Sequence, residues 1–110
     1  MSEEVKKYIE AVEKSFIAAA KEFADNEEVK EFFKEQAVRY GKELYAGETA
    51  TSPQEKKEAE DNIVAILAQN KSEVRRLAIA ADNVVRAKLE GALDGIGNLI
   101  LNLVRGGIGA

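Results

Sequence analysis

The most plentiful side chains here that could do acid–base chemistry are carboxylates. Twenty side chains are Asp or Glu, while histidine and cysteine are absent. The acids fall in short groups: Glu3-Glu4, Glu27-Glu28, Glu31, Glu35, Glu58, Glu60 and Asp61. A carboxylate pair works as general acid and base when one member sits on a buried face and holds its proton near neutral pH. Metal sites in helical bundles combine inward-facing Glu with Glu-x-x-His, and here no histidine exists. At helical spacing these acids lie opposite the apolar positions, where pairs such as Glu10–Lys14 form an ordinary solvated pattern. Ser15, Ser52 and Ser72 have no histidine base. Without cysteine there is no thiolate nucleophile, disulfide or zinc–thiolate site. Gly91, Gly95 and Gly97 follow no strand, so they form no phosphate-cradling loop. The expectation is a non-enzymatic protein with no catalytic, metal-binding or cofactor-binding residues.

Charge narrows the partners. The formal net charge is −4, but it is unevenly spread. Residues 1–70 carry 10 basic and 16 acidic side chains, and residues 71–110 carry 6 basic and 4 acidic. Such mild dipolarity favours packing of copies against one another and does not point to nucleic acid. The one basic cluster, Lys71, Arg75, Arg76, Arg86 and Lys88, is interrupted by Asp82 and Glu90 and has no aromatic neighbour on which a base could stack. The N-terminus is acidic and does not read as a signal peptide. No apolar run reaches the roughly 20 residues of a spanning helix. A soluble, cytoplasmic protein is expected.

The elements that hold these residues read as helices throughout. Abundant Ala, Glu and Lys and a single proline support an all-α fold. A first helix is predicted from about Glu3 to Phe23, capped by Ser2, with Val5, Ile9, Val12, Phe16, Ala19 and Phe23 on one face. Asp25 with Glu28 reads as a capping box opening a second helix from about Asn26 to Ala46, with Gly47 as its stop. Val29, Phe33, Ala37, Tyr40 and Leu44 share a face that also contains Gln36. Residues 3–46 thus form an antiparallel hairpin. Ser52-Pro53-Gln54-Glu55 places serine at the N-cap, proline at N1 and glutamate at N3, and starts the third helix.

From Ile63 the stripe continues through Leu67, Asn70, Val74, Leu77, Ala81, Val85, Leu89, Ala92, Ile96, Leu99 and Leu103. At 100° per residue Ile63 and Leu103 differ by about 40° in azimuth. Phase coherence predicts one helix over 53–104, on the order of 75–80 Å long, overhanging the hairpin. The alternative is a break near 70–72, where Asn70-x-x-Glu73 would cap a new helix. Residues 105–110 read as a flexible Gly-rich tail. Asn70, in mid-stripe, is the candidate register-setting residue of an oligomeric coiled coil, with Gln36 as its candidate counterpart across the core.

Near the C-terminus, Glu90, Asp94, Asn98, Asn102 and Arg105 fit a sector of about 120°, leaving a broad arc of Ala, Gly, Val, Leu and Ile. One neighbouring helix covers about a third of a helix's circumference, so this arc expects at least two neighbours. Gly91 and Gly95 allow close helix approach. The expected interface is Val85, Leu89, Ala92, Leu93, Ile96, Leu99, Ile100, Leu103 and Val104. The reading is a structural protein of one all-helical domain. It self-associates through its C-terminal helix into an elongated homo-oligomer, as a component of a larger, for example phage-like, assembly. The alternatives are that this face is the core of a monomeric bundle, or that a partner helix or a membrane surface occupies it. Membrane contact is weakened by the missing Lys/Arg row and interfacial aromatics.

Overall fold

A computed structural model describes residues 2–106. Four helices follow one another: α1 (Glu3–Ala19), α2 (Glu27–Glu48), α3 (Pro53–Val74) and α4 (Asn83–Gly106). The tail expected at 105–110 begins inside α4, and residues 107–110 lie outside the described residues.

Local chemistry sets most boundaries. Ser2 Oγ accepts from the Val5 amide at the start of α1, and Ser52 Oγ accepts from the Glu55 amide at the start of α3. Glu55 reaches back to the Thr51 amide and hydroxyl. The α2 cap is Asn26, whose Oδ1 accepts from the Val29 amide at 2.9 Å, one residue after the capping box expected at Asp25. Residues 20–23 are not a continuation of α1. Ala20 leaves the helical region at φ −134°, ψ 47° and opens a 3-10 turn, Lys21–Phe23, which turns Phe23 into the core.

Side chains fix an up-down-up-down arrangement. Phe16 stacks on Phe33, and Tyr8 meets Tyr45 edge-on, so α1 and α2 run antiparallel as the hairpin expectation requires. Asn62 donates to Glu43, and Glu73 binds Arg39, which sets α3 antiparallel to α2. Lys56 donates to the Arg105 carbonyl at 2.8 Å and Leu67 lies against Gly97, which sets α4 antiparallel to α3. Lys88 pairs with Glu22 and brings α4 back beside α1. Close approach needs glycine at Gly41, where a Cβ would lie 2.8 Å from the Ile9 backbone. Gly47 does not stop α2. It lies inside the helix and makes room for Val104.

The continuous third helix is overturned. The chain folds back between Val74 and Asn83, through a 3-10 turn at Ala78–Ala81, and the longest dimension is 43 Å. The break falls at 75–82 and not at 70–72. Asp82 caps α4, its Oδ1 accepting from the amides of Val84 and Val85. Phase coherence failed because it does not discriminate: two helices packed on one core each need an inward stripe. Folding back buries Leu89, Leu93, Ile100, Leu101 and Val104 against the chain's own helices. A straight helix would leave them in water, at about 25 cal/mol per Å² of apolar surface.

Candidate functional site: the interior polar network and the exposed side of helix four

Two arrangements on this scaffold go beyond generic packing. The first is interior. Tyr40 is fully buried, and its hydroxyl donates to Asn70 Oδ1. Asn70 Nδ2 donates to Gln36 Oε1 at 2.9 Å, and Gln36 Nε2 donates to Glu73 at 3.4 Å. Arg39 closes the chain on Glu73 at 3.0 Å. Buried amides need such partners, because each unmatched polar group costs about 1–3 kcal/mol. The network ties α2 to α3. Both amide ends of Asn70 are thus hydrogen-bonded within one chain, where the expectation placed it in the seam between chains. Its counterpart across the core is Gln36, as the stripe positions suggested. Burial pushes the Tyr40 phenol above its ordinary range, with the carboxylates of Asp94 and Glu73 adding to the effect and Arg39 opposing it. A phenol held neutral in this way is a structural donor. It opens onto no cleft.

Among the described residues no three acidic side chains gather where a metal ion could be held. Glu90 has one oxygen buried without a hydrogen-bond partner.

The second arrangement is on the surface. Of the nine expected interface residues, Leu89, Ala92, Leu93, Ile100 and Val104 are buried within the chain. Val85 and Ile96 are half-buried against the same core. For those residues the expectation is corrected, because the neighbours that the broad apolar arc required are α1, α2 and α3. Leu99 and Leu103 remain outside, 53% and 47% exposed. Around them the exposed side of α4 presents Val84, Ala87, Lys88, Gly91, Gly95, Asn98 and Asn102. Its two exposed charges, Lys88 and Arg105, are paired with Glu22 and Glu60. A cleft of about 120 Å³ separates Leu99 and Leu103 from Ala11 and Ser15 on α1.

The orientation of α4 is informative. From Leu89 onward its polar arc and its exposed arc do not coincide. Their centres differ by about 70° at 100° per residue. Glu90 and Asp94 are half-buried, while Gly91, Gly95, Leu99 and Leu103 face outward. Neither Gly91 nor Gly95 has any atom within 4 Å of a built Cβ, so these glycines serve no contact inside the chain. Sequence reasoning missed this offset because periodicity gives relative azimuths and not the direction of the core.

Comparison with protein-family models, with curated proteins and with solved structures finds no match.

Proposed function

We propose that this chain is a non-enzymatic assembly protein whose copies pair through the exposed side of α4. The observation that carries the reading is the rotation of α4, which leaves leucines and glycines outside and draws acids inward. A helix shaped only for its own bundle would turn its polar arc to water. The occupant that fits is a second copy, antiparallel, with the two-fold axis at Gly95. In that register Leu99 of one copy lies over Gly91 of the other, Leu103 over Ala87, and Lys88 beside Asn102. Each large residue meets a small one, as a self-complementary two-fold interface requires. The open space above Gly91 and Gly95 supports close approach of the two helices.

The membrane-surface alternative draws less support. No helix among the described residues is long and apolar enough to cross a membrane, and this face offers no cationic row to anionic lipid. Pairing of this kind closes at the dimer, which would be the building unit of a larger assembly. Sedimentation equilibrium tests it. The wild-type chain should show concentration-dependent dimerisation, and Leu99→Asp with Leu103→Asp should weaken it with an unchanged helical spectrum. A double variant that associates as strongly as wild type sinks the proposed face.

A further inference from the structure

The segment between α3 and α4 is built of the wrong residues for a turn. Residues 75–82 read Arg-Arg-Leu-Ala-Ile-Ala-Ala-Asp, with neither glycine nor proline. Arg, Leu and Ala are among the strongest helix formers. No described residue adopts a positive φ, so no left-handed stop ends α3. Arg75, at the end of α3, is itself helical at φ −63°, ψ −16°. Leu77 and Asp82 stand in extended backbone, at ψ 135° and 121°. Tertiary contacts hold the fold-back in place. Glu28 accepts from the Ala78 amide at 2.7 Å, Leu77 and Ala80 are buried, and Asp82 caps α4. Local preference and the folded turn therefore disagree, a conflict that natural sequences usually avoid.

We infer that the turn at 75–82 is a hinge through which two copies of this chain exchange α4. When the hinge straightens, Pro53–Val104 becomes a single helix of about 78 Å. Each α4 then docks on the α1–α3 body of the other copy. Leu89, Leu93, Ile100 and Val104 regain the same core surroundings there, so the exchange keeps the interior contacts and replaces only those of the turn. Such exchange of an identical element is a low-cost route to a dimer. It does not rest on the exposed-face pairing, which would leave the turn bent.

Two substitutions act on the hinge in opposite directions. Asn83 is the first residue of α4, follows the extended Asp82, and its amide makes no backbone hydrogen bond. Proline fits there in the bent form, but in a continuous helix it would break the ladder. Asn83→Pro should therefore lower the exchanged fraction about a hundredfold or more. Asp82→Ala removes the α4 cap and places a strong helix former at the hinge, so it should raise that fraction. Wild type and both variants are refolded at about micromolar and at about millimolar concentration, and masses are measured by light scattering. Spin labels on Gln69→Cys and Asn98→Cys, diluted with unlabelled chain, report the distance within one chain. In the exchanged dimer they stand about 43 Å apart, and in the bent form on neighbouring helices on the order of 10–20 Å.

The expected result is a dimer with the long distance in wild type, more of it in Asp82→Ala, and none in Asn83→Pro. The inference is overturned if neither wild type nor Asp82→Ala forms a dimer. It is equally overturned if the dimer keeps only the short distance, which would mark face pairing alone, or if Asn83→Pro shows the long distance to the same extent as wild type.

Discussion

Replacing Asn70 by alanine removes the centre of the interior network. Asn70 is 1% exposed and uses both ends of its amide, accepting from Tyr40 and donating to Gln36. In Asn70→Ala the Tyr40 hydroxyl and Gln36 Oε1 are left buried without those partners, at about 1–3 kcal/mol each. Alanine recovers roughly half a kcal/mol of helix propensity. The expected loss is about 3 kcal/mol, which at this chain length is a drop of roughly 12 °C or more in Tm. Urea unfolding followed by far-ultraviolet circular dichroism measures it, as a lower midpoint at unchanged slope. A cycle with Gln36→Leu and Asn70→Leu isolates the pair. The double variant should lose less than the sum of the singles by at least about 1 kcal/mol, because replacing both partners removes the orphan that each single change creates. A loss below about 1 kcal/mol in Asn70→Ala, or strict additivity in the cycle, would refute the reasoning. So would an unchanged monomer stability with an altered oligomeric state, the outcome expected of a coiled-coil register residue.

Glycines of α4 should divide by what faces them. A Cβ at Gly97 would lie 2.4 Å from Leu67 Cδ2 and 2.9 Å from the Tyr40 hydroxyl, so Gly97→Ala should destabilise by about 1–3 kcal/mol through overpacking, read by the same urea titration. Gly95→Ala meets nothing within 4 Å and should stabilise the monomer by about 1 kcal/mol while weakening dimerisation in the ultracentrifuge. Alkaline pH provides a third test. The Tyr40 phenol is raised on folding, so its contribution is intact below the unfolded tyrosine pKa of about 10 and declines as pH rises above it. Between about pH 10 and 11, Tyr40→Phe should lose stability less steeply than wild type, by up to about 1.4 kcal/mol per pH unit, although it starts lower for want of a donor to Asn70.

What the sequence disclosed depended on how local the cause was. The caps at Ser2 and Ser52 were legible because side chain and amide lie three residues apart. The hairpin was legible because two long amphipathic helices are joined by so short a turn at Asp25 and Asn26 that they must run antiparallel. The Gln36–Asn70 pairing was visible as two polar residues inside apolar stripes, a pattern that calls for a partner. The fold-back at 75–82 was not legible, since its residues prefer helix and its restraints, Glu28 and the core around Leu77, come from elsewhere in the chain. Asp82 was the one local signal, and it was read only as a break in a basic cluster. Most of the expected interface was core for the same reason. A stripe says that a face must be covered, while only the packed chain says by what. Leu99 and Leu103 stood out only once the direction of the core was known.

The central claim is that α4 presents an association face, and sedimentation equilibrium of wild type beside the Leu99→Asp, Leu103→Asp double variant tests it most directly. The account predicts reversible wild-type dimerisation that the double variant weakens while its unfolding midpoint stays close to wild type, since both side chains are about half exposed in the single chain. A wild-type chain that remains monomeric at millimolar concentration, or a double variant that associates as wild type does, would contradict it.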